Sequence, residues 1–146
     1  MTPPAADPFN LERFVAAQAG VYETALAELT RGRKTSHWMW FIFPQIAGLG
    51  SSPTAVRYAI GSADEARAYL EHPVLGERLK VCAAATLDGP ESDPYAVFGS
   101  PDDMKFRSSL TLFDAVSPQD VFVANLDRFF AGVRDLRTLQ LLTARP

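Results

Sequence analysis

Between Arg31 and Gln45 the chain gathers a basic run (Arg31, Arg33, Lys34), a serine, one of its two histidines and both of its tryptophans. Lys34, Ser36 and His37 together are suited to holding an anion. If Ser36 caps a helix, the free N–H groups there attract negative charge, and Lys34 adds to the field. His37 can hold a phosphate or carboxylate, or move a proton near neutral pH. Trp38 and Trp40 point to different sides, so one can belong to the core while the other forms a pocket wall that stacks on a flat ring. Gln45 can read the polar edge of such a ring. The plain alternative is a capping serine, a solvated lysine, a histidine packed on Trp40 and two core tryptophans.

A second group lies at Asp103, Phe106, Arg107 and Leu110, spaced i, i+3, i+4 and i+7 on one helical face. That spacing sets Asp103 at the edge of a core stripe, where a carboxylate needs Arg107 or another donor. Pairing with Lys34 or His37 across the fold would assemble an acid–base site. The expected site therefore has His37 and Asp103 as catalytic groups, with Lys34, Ser36, Trp40, Gln45 and Arg107 binding the ligand. The alternative makes Asp103 a helix cap. Lys105 reads as a surface residue, with an ion pair worth only about 0.3–0.5 kcal/mol.

Other polar residues point to structure. His72 precedes Pro73 at a helix end, where the dipole stabilises a protonated ring. Cys82, the single cysteine, falls on a core stripe and reads as a small buried hydrophobe. With two histidines and no His-x-x-x-His pair, a zinc site is not expected. Neither a Gly-x-x-x-x-Gly-Lys-Ser/Thr loop nor a Gly-x-Gly-x-x-Gly fingerprint occurs, so no nucleotide cofactor fold is indicated and no cofactor is expected.

The elements that would carry these residues are helices. Leu11, Phe14, Val15 and Gln18 share a face, and Val21, Tyr22, Ala25, Leu26 and Leu29 continue it after Gly20. One helix, or two broken near Gly20, should end at Gly32, with Glu23, Glu28 and Arg31 facing out. Ser62-Ala63-Asp64-Glu65 is a capping box for a helix to about His72. Pro73 starts another, with Leu75, Leu79, Cys82, Thr86 and Leu87 at helical spacing. Ser92–Phe98 suits a short helix before Gly99. Ser100-Pro101 and Ser117-Pro118 predict serine-capped helices with proline in the first position. Their stripes are Phe106, Leu110, Phe113 and Val121, Leu126, Phe129, Phe130. Asp135 should cap a last helix through Leu142. Trp38–Phe43 reads as a short buried helix stopped by Pro44, although its aromatic run also suits a buried strand. Gln45–Thr54 is then a Gly- and Ser-rich loop.

This pattern predicts an all-α fold of about six to eight helices, with residues 1–8 as a mobile tail and 9–143 as a single domain. The 146 residues fit one domain, and a chain of that length buries about 68–70% of its unfolded surface. A hydrophobic content of 47% with 21% charged residues is ordinary for a soluble protein. No run approaches the roughly 18 apolar residues of a membrane span, and the start lacks the basic and apolar regions of a signal peptide. A cytoplasmic location is the simplest expectation. A net charge of −3 argues against non-specific nucleic-acid binding.

Four segments carry a family resemblance: Asp7–Phe14, Ser36–Gln45 with its Trp-Met-Trp-Phe-Ile-Phe-Pro-Gln string, Tyr69–Gly76 and Asp103–Phe113. Through them the chain resembles the bacterial family called domain of unknown function 1810, over roughly Asp7 to Leu142. The resemblance implies a mainly helical single domain and no established activity. Some relatives carry the label calpastatin, yet a compact chain with this core does not look like an extended inhibitory segment. The functional expectation is a domain that binds or acts on a small anionic, nucleotide-like or phosphorylated ligand. The alternative is a non-enzymatic protein-interaction module anchored by an exposed Trp40 or Phe43.

Overall fold

The computed structural model describes residues 6–144; of the tail expected at residues 1–8, residues 1–5 lie outside them. Ten helices and no strand occur among the described residues. The all-α expectation holds, with more helices than the six to eight expected because several are only one turn long. In chain order they are α1 (Glu12–Gln18), α2 (Tyr22–Arg31), α3 (Met39–Ile42), α4 (Pro53–Arg57), α5 (Ala63–Glu71), α6 (Leu75–Asp88), α7 (Pro94–Phe98), α8 (Asp102–Val116), α9 (Val121–Phe130) and α10 (Leu136–Ala144).

Helix α8 is the centre. Phe106, Leu110, Leu112 and Phe113 are each at most 1% exposed, and Ser108, Ser109 and Thr111 between them are buried too. A helix covered this fully must be packed on several sides; α5, α7, α9 and α10 all lie against it. The apolar stripes of α2, α6 and α9 close the same core through Leu29, Leu79, Cys82 and Leu126. On α9 the core residue of the first turn is Phe122 rather than the expected Val121.

Local chemistry explains most boundaries. The break expected near Gly20 is present, and Gly32 caps α2 at φ 81°, a left-handed conformation glycine adopts without strain. The capping box at Ser62 forms, with the Glu65 N–H donating to Ser62 Oγ at 3.1 Å. Its reciprocal bond runs from the Gly61 N–H to Glu65 Oε1, while Glu65 Oε2 accepts from Arg13 at 2.9 Å. Asp135 caps α10 by accepting from the Thr138 N–H. Asp7 accepts from the N–H groups of Leu11 and Glu12, and His72 Nδ1 accepts from those of Val74 and Leu75.

Three expected serine caps are absent. Ser100 does not cap α8; Pro101 holds the cap position with no side-chain bond. The Asp103 N–H reaches the Gly99 carbonyl instead, at 2.9 Å. At α9 the cap is Asp120, a charged acceptor and so a stronger one than a hydroxyl. It accepts from the Val121 N–H, and Ser117 donates to its other oxygen. Ser36 does not cap α3 either; Trp38 precedes that single turn without a side-chain bond. Conversely, Ser52 caps α4 within the stretch read as loop. The rest of that loop is pinned by a parallel bridge between Ile46 and Ile60: the Ile60 N–H donates to the Gln45 carbonyl and the Ala47 N–H to the Ile60 carbonyl, each at 2.8 Å.

Candidate functional site

The basic corner at Lys34–His37 is built around a residue the sequence placed on the outside. Glu28 is 2% exposed. Its Oε1 accepts from the N–H groups of Thr35 (2.7 Å) and Ser36 (3.0 Å) and from Trp38 Nε1 (2.9 Å). Its Oε2 accepts from Ser36 Oγ at 2.6 Å. Burial alone would push this carboxyl up, but the bonds from Ser36, Thr35 and Trp38 outweigh it and hold the group down at about 2. The donors that would greet an external anion are already occupied by the protein's own carboxylate.

Lys34 is spent in the same way. Its ammonium is 2.8 Å from Asp102, with only 7% of its side chain exposed, and sits 5.1 Å over the Trp38 ring. It borders an open groove shared with Arg31, Arg33 and Tyr95. His37 is exposed and borders neither that groove nor the cleft described below. Asp103 is half-buried and folds back onto its own helix, accepting from the Met104 N–H at 2.8 Å. The expected meeting of Asp103 with Lys34 is made by its neighbour Asp102, one helical position away. Arg107 pairs with neither aspartate: its guanidinium lies 5.8 Å from the Phe130 ring, and its buried Nε has no partner among the described residues. Of the seven expected site residues, the structure brings Trp40 and Gln45 to one cavity and places the other five elsewhere.

That cavity is a cleft of about 400 Å³ between α8, α3, α4 and the loop joining α3 to α4. Met39, Phe43, Ile46, Leu49 and Tyr58 make its apolar walls, and Trp40 forms a half-buried aromatic side. Tyr58 is fixed edge-on to Phe41, with ring centroids 4.9 Å apart. Helix α8 and its cap residue contribute Pro101, Met104, Lys105 and Ser108, at i, i+3, i+4 and i+7. The Lys105 ammonium lies 4.8 Å over the Trp40 ring and 3.4 Å from Asp102. Ser108 Oγ donates towards the Met104 carbonyl and Asp135, at 3.1 and 3.0 Å. Gln45 borders the cleft with its backbone fixed by the Ile60 bridge.

Electrostatically the cleft is one-sided. Lys105 is its single charged lining residue, and no Asp or Glu lines it among the described residues. Just behind, Lys34 and Lys105 share the one carboxylate of Asp102. Sequence reasoning set Lys105 aside as surface, because it chose the α8 face of Asp103 and Arg107. The usable signal was the parallel stripe two residues away, Pro101-Met104-Lys105-Ser108, on nearly the opposite face of the helix. No group of three or more His, Cys, Asp or Glu residues gathers to hold a metal among the described residues. No described helix is long and apolar enough to cross a membrane.

Comparison with curated proteins finds no match. Among solved structures, this chain is similar to the crystal structure of the conserved hypothetical protein Rv1873 from Mycobacterium tuberculosis. The two share 50% sequence identity and a TM-score of 0.88, over 94% of this chain and 99% of that one. The family described as "Protein of unknown function (DUF1810)" matches residues 8–142, which include the whole cleft and the Glu28 corner. The chain belongs to this family of unknown function, DUF1810.

Proposed function

We propose that this protein binds a small anionic ligand with a flat, apolar body in the Trp40–Lys105 cleft. One observation carries the reading: a cleft of about 400 Å³, walled by Trp40, has Lys105 as its one charge and no carboxylate among its described lining residues. The size falls near the lower end of small-ligand pockets, roughly 300–1,000 Å³. That suits a one- or two-ring ligand and leaves too little room for a dinucleotide. An aromatic face, one cation and a carboxamide on Gln45 are the usual composition of such sites, mostly apolar with a few oriented polar groups.

The reading moves the expected site from the Lys34–His37 corner to the opposite end of the same segment. It assigns binding rather than catalysis, because no proton-transfer pair lines the cleft among the described residues. The interaction-module alternative rested on an exposed Trp40 or Phe43. Phe43 is 1% exposed and Trp40 half-buried in the cleft wall, so neither serves as a protruding anchor.

A thermal-shift screen of nucleotides, sugar phosphates and aromatic acids tests the proposal. A ligand at 100 times its dissociation constant adds about 2.7 kcal/mol to stability. Trp40→Ala and Lys105→Ala should each abolish the shift, and His37→Ala should leave it intact. A hit that survives Trp40→Ala but disappears in His37→Ala would return the site to the basic corner.

A further inference from the structure

Resting on the proposed ligand site, we infer that Arg13, on α1 and outside the cleft, is a positioning residue for it: paired with Glu65, it holds the wall that carries Tyr58 and so governs ligand affinity. An arginine side chain has five N–H groups, and in Arg13 all five are used. Nε donates to the Arg57 carbonyl at 2.8 Å. Nη1 donates to the carbonyls of Phe9 and Asn10 at 2.6 and 2.8 Å, and Nη2 to the Ala59 carbonyl and Glu65 Oε2, each at 2.9 Å. Two of these acceptors, Arg57 and Ala59, stand on either side of Tyr58. The side chains of the ion pair are only 12% and 8% exposed. There a charge-assisted bond is strong and little screened by salt.

The pair grips residues 57–61 along their length. Arg13 takes the carbonyls of Arg57 and Ala59, and Glu65 Oε1 takes the Gly61 N–H at 3.0 Å. Ile60 within this stretch is anchored in the core. The α4 end is not: none of the five residues of α4 is buried, so there the backbone carbonyls carry the attachment. Tyr58 and Ala59, which line the cleft, thus take their place from a pair that does not line it. The Tyr58 ring rests on Phe14 and Phe41, and the Arg13 guanidinium lies 4.4 Å from the Phe14 ring centroid. Backbone and ring of Tyr58 are therefore held at one place. A wall already in position spares the cost of ordering it on binding. A wall in position only part of the time lowers affinity by that fraction. Lysine cannot take over this role. Its three donors sit on one atom, without the fork that reaches the turn before α1, residues 57–59 and α5 together.

The test compares wild type, Arg13→Lys and Leu126→Val, the last a control that loosens the core at a fully buried position on α9. The probe is 1-naphthalenesulfonate, a flat two-ring anion. Its binding to the full chain is followed by NMR at the Trp40 indole N–H, well below each melting temperature. Arg13→Lys should weaken the probe about tenfold or more, one decade in dissociation constant. It should also speed amide exchange at Tyr58 by a similar factor, because opening the wall no longer breaks the guanidinium bonds. Leu126→Val should lower the melting temperature and leave both readings unchanged, since its packing is the same whether the wall is open or closed. That split separates positioning from bulk stability. Glu65→Gln keeps an oxygen for the Gly61 N–H but removes the charge facing Arg13. It should act in the same direction, and it carries the test if Arg13→Lys does not fold. Unchanged probe affinity in the Arg13 and Glu65 variants, or an equal loss in Leu126→Val, overturns the inference and leaves the cleft proposal standing. If the probe does not move the Trp40 signal of wild type, the cleft proposal itself fails and this inference with it.

Discussion

Replacing Glu28 tests whether the basic corner is scaffold rather than site. A carboxyl that titrates near 2 when folded and at its ordinary 4.5 when unfolded contributes about 3 kcal/mol to stability, at about 1.4 kcal/mol per pH unit of difference. Because the folded value is the depressed one, that contribution is fully present above about pH 4.5. It is lost as the pH falls towards 2. Glu28→Gln imitates the protonated acid. Its carbonyl oxygen can keep the Thr35, Ser36 and Trp38 N–H bonds, and the Ser36 hydroxyl can turn to accept from the new amide. It should therefore cost about 2–3 kcal/mol at pH 7 and nearly nothing at pH 2. Glu28→Ala also leaves the buried Trp38 indole N–H without an acceptor, a further pH-independent loss of about 1–3 kcal/mol. Urea unfolding of the three proteins from pH 7 to pH 2 measures both effects. The reading depends on the difference between wild type and Glu28→Gln, since other carboxylates titrate in the same range. A difference that stays constant with pH refutes the charge argument. A Glu28→Ala cost below about 1 kcal/mol refutes the buried network.

The two tryptophans should separate in the same assay. Trp38→Ala, at a site 1% exposed, should cost about 3–5 kcal/mol. Trp40→Ala, at the half-buried cleft wall, should cost distinctly less; equal costs would make both purely core residues. Gly76→Ala places a Cβ 2.0 Å from the backbone carbonyl of Leu70. Backbone cannot yield as a side chain can, so the variant should lose about 3 kcal/mol or fail to fold. A melting temperature within 2 °C of wild type would show that α5 and α6 do not meet so closely. Burial pushes the Cys82 thiol up to about 12. Thiol reagents at pH 8 should therefore label it only as fast as the chain unfolds, and immediate labelling of folded protein would contradict its placement.

The fold was readable because its signals are local. The Gly20 break, the Gly32 stop, the Ser62 capping box and the Asp135 cap each depend on a few adjacent residues, and each appears in the structure. The errors arise where a distant partner competes. Ser36 looks like a cap until Glu28, eight residues earlier, claims its hydroxyl. Glu28 lies on the same helix as the buried Leu29, and a carboxylate there reads as solvent-facing until the returning segment covers it with four donors. The spacing of Asp103 with Phe106, Arg107 and Leu110 favoured it as the partner of Lys34, where its neighbour Asp102 is the actual one. In the candidate site, Trp40 and Gln45 were legible as unusual residues on an aromatic segment. Lys105 was not, because its distinguishing feature is the ring of Trp40 beneath it, a contact across 65 positions of sequence.

The two ends of the segment from Thr35 to Gln45 are mechanically connected. At its start, Glu28 fixes the backbone at Thr35 and Ser36 and holds the Trp38 indole. Trp38 then fills the core, so the next turn, Met39–Ile42, emerges in one orientation and presents Trp40 to the cleft. From the opposite side Asp102 holds Lys34 and Lys105 together, tying the start of the segment to the helix that carries the cleft's cation. Two charges that do not line the cleft, Glu28 and Lys34, thus set the positions of two groups that do, Trp40 and Lys105. An ionisable group tied this firmly is a poor acid–base catalyst, because its proton affinity is committed to the fold, and a good positioning element for the same reason. The basic run is therefore connected to the cleft through rigid packing, and substitutions within it should act on ligand affinity only as far as they loosen Trp40 and Lys105.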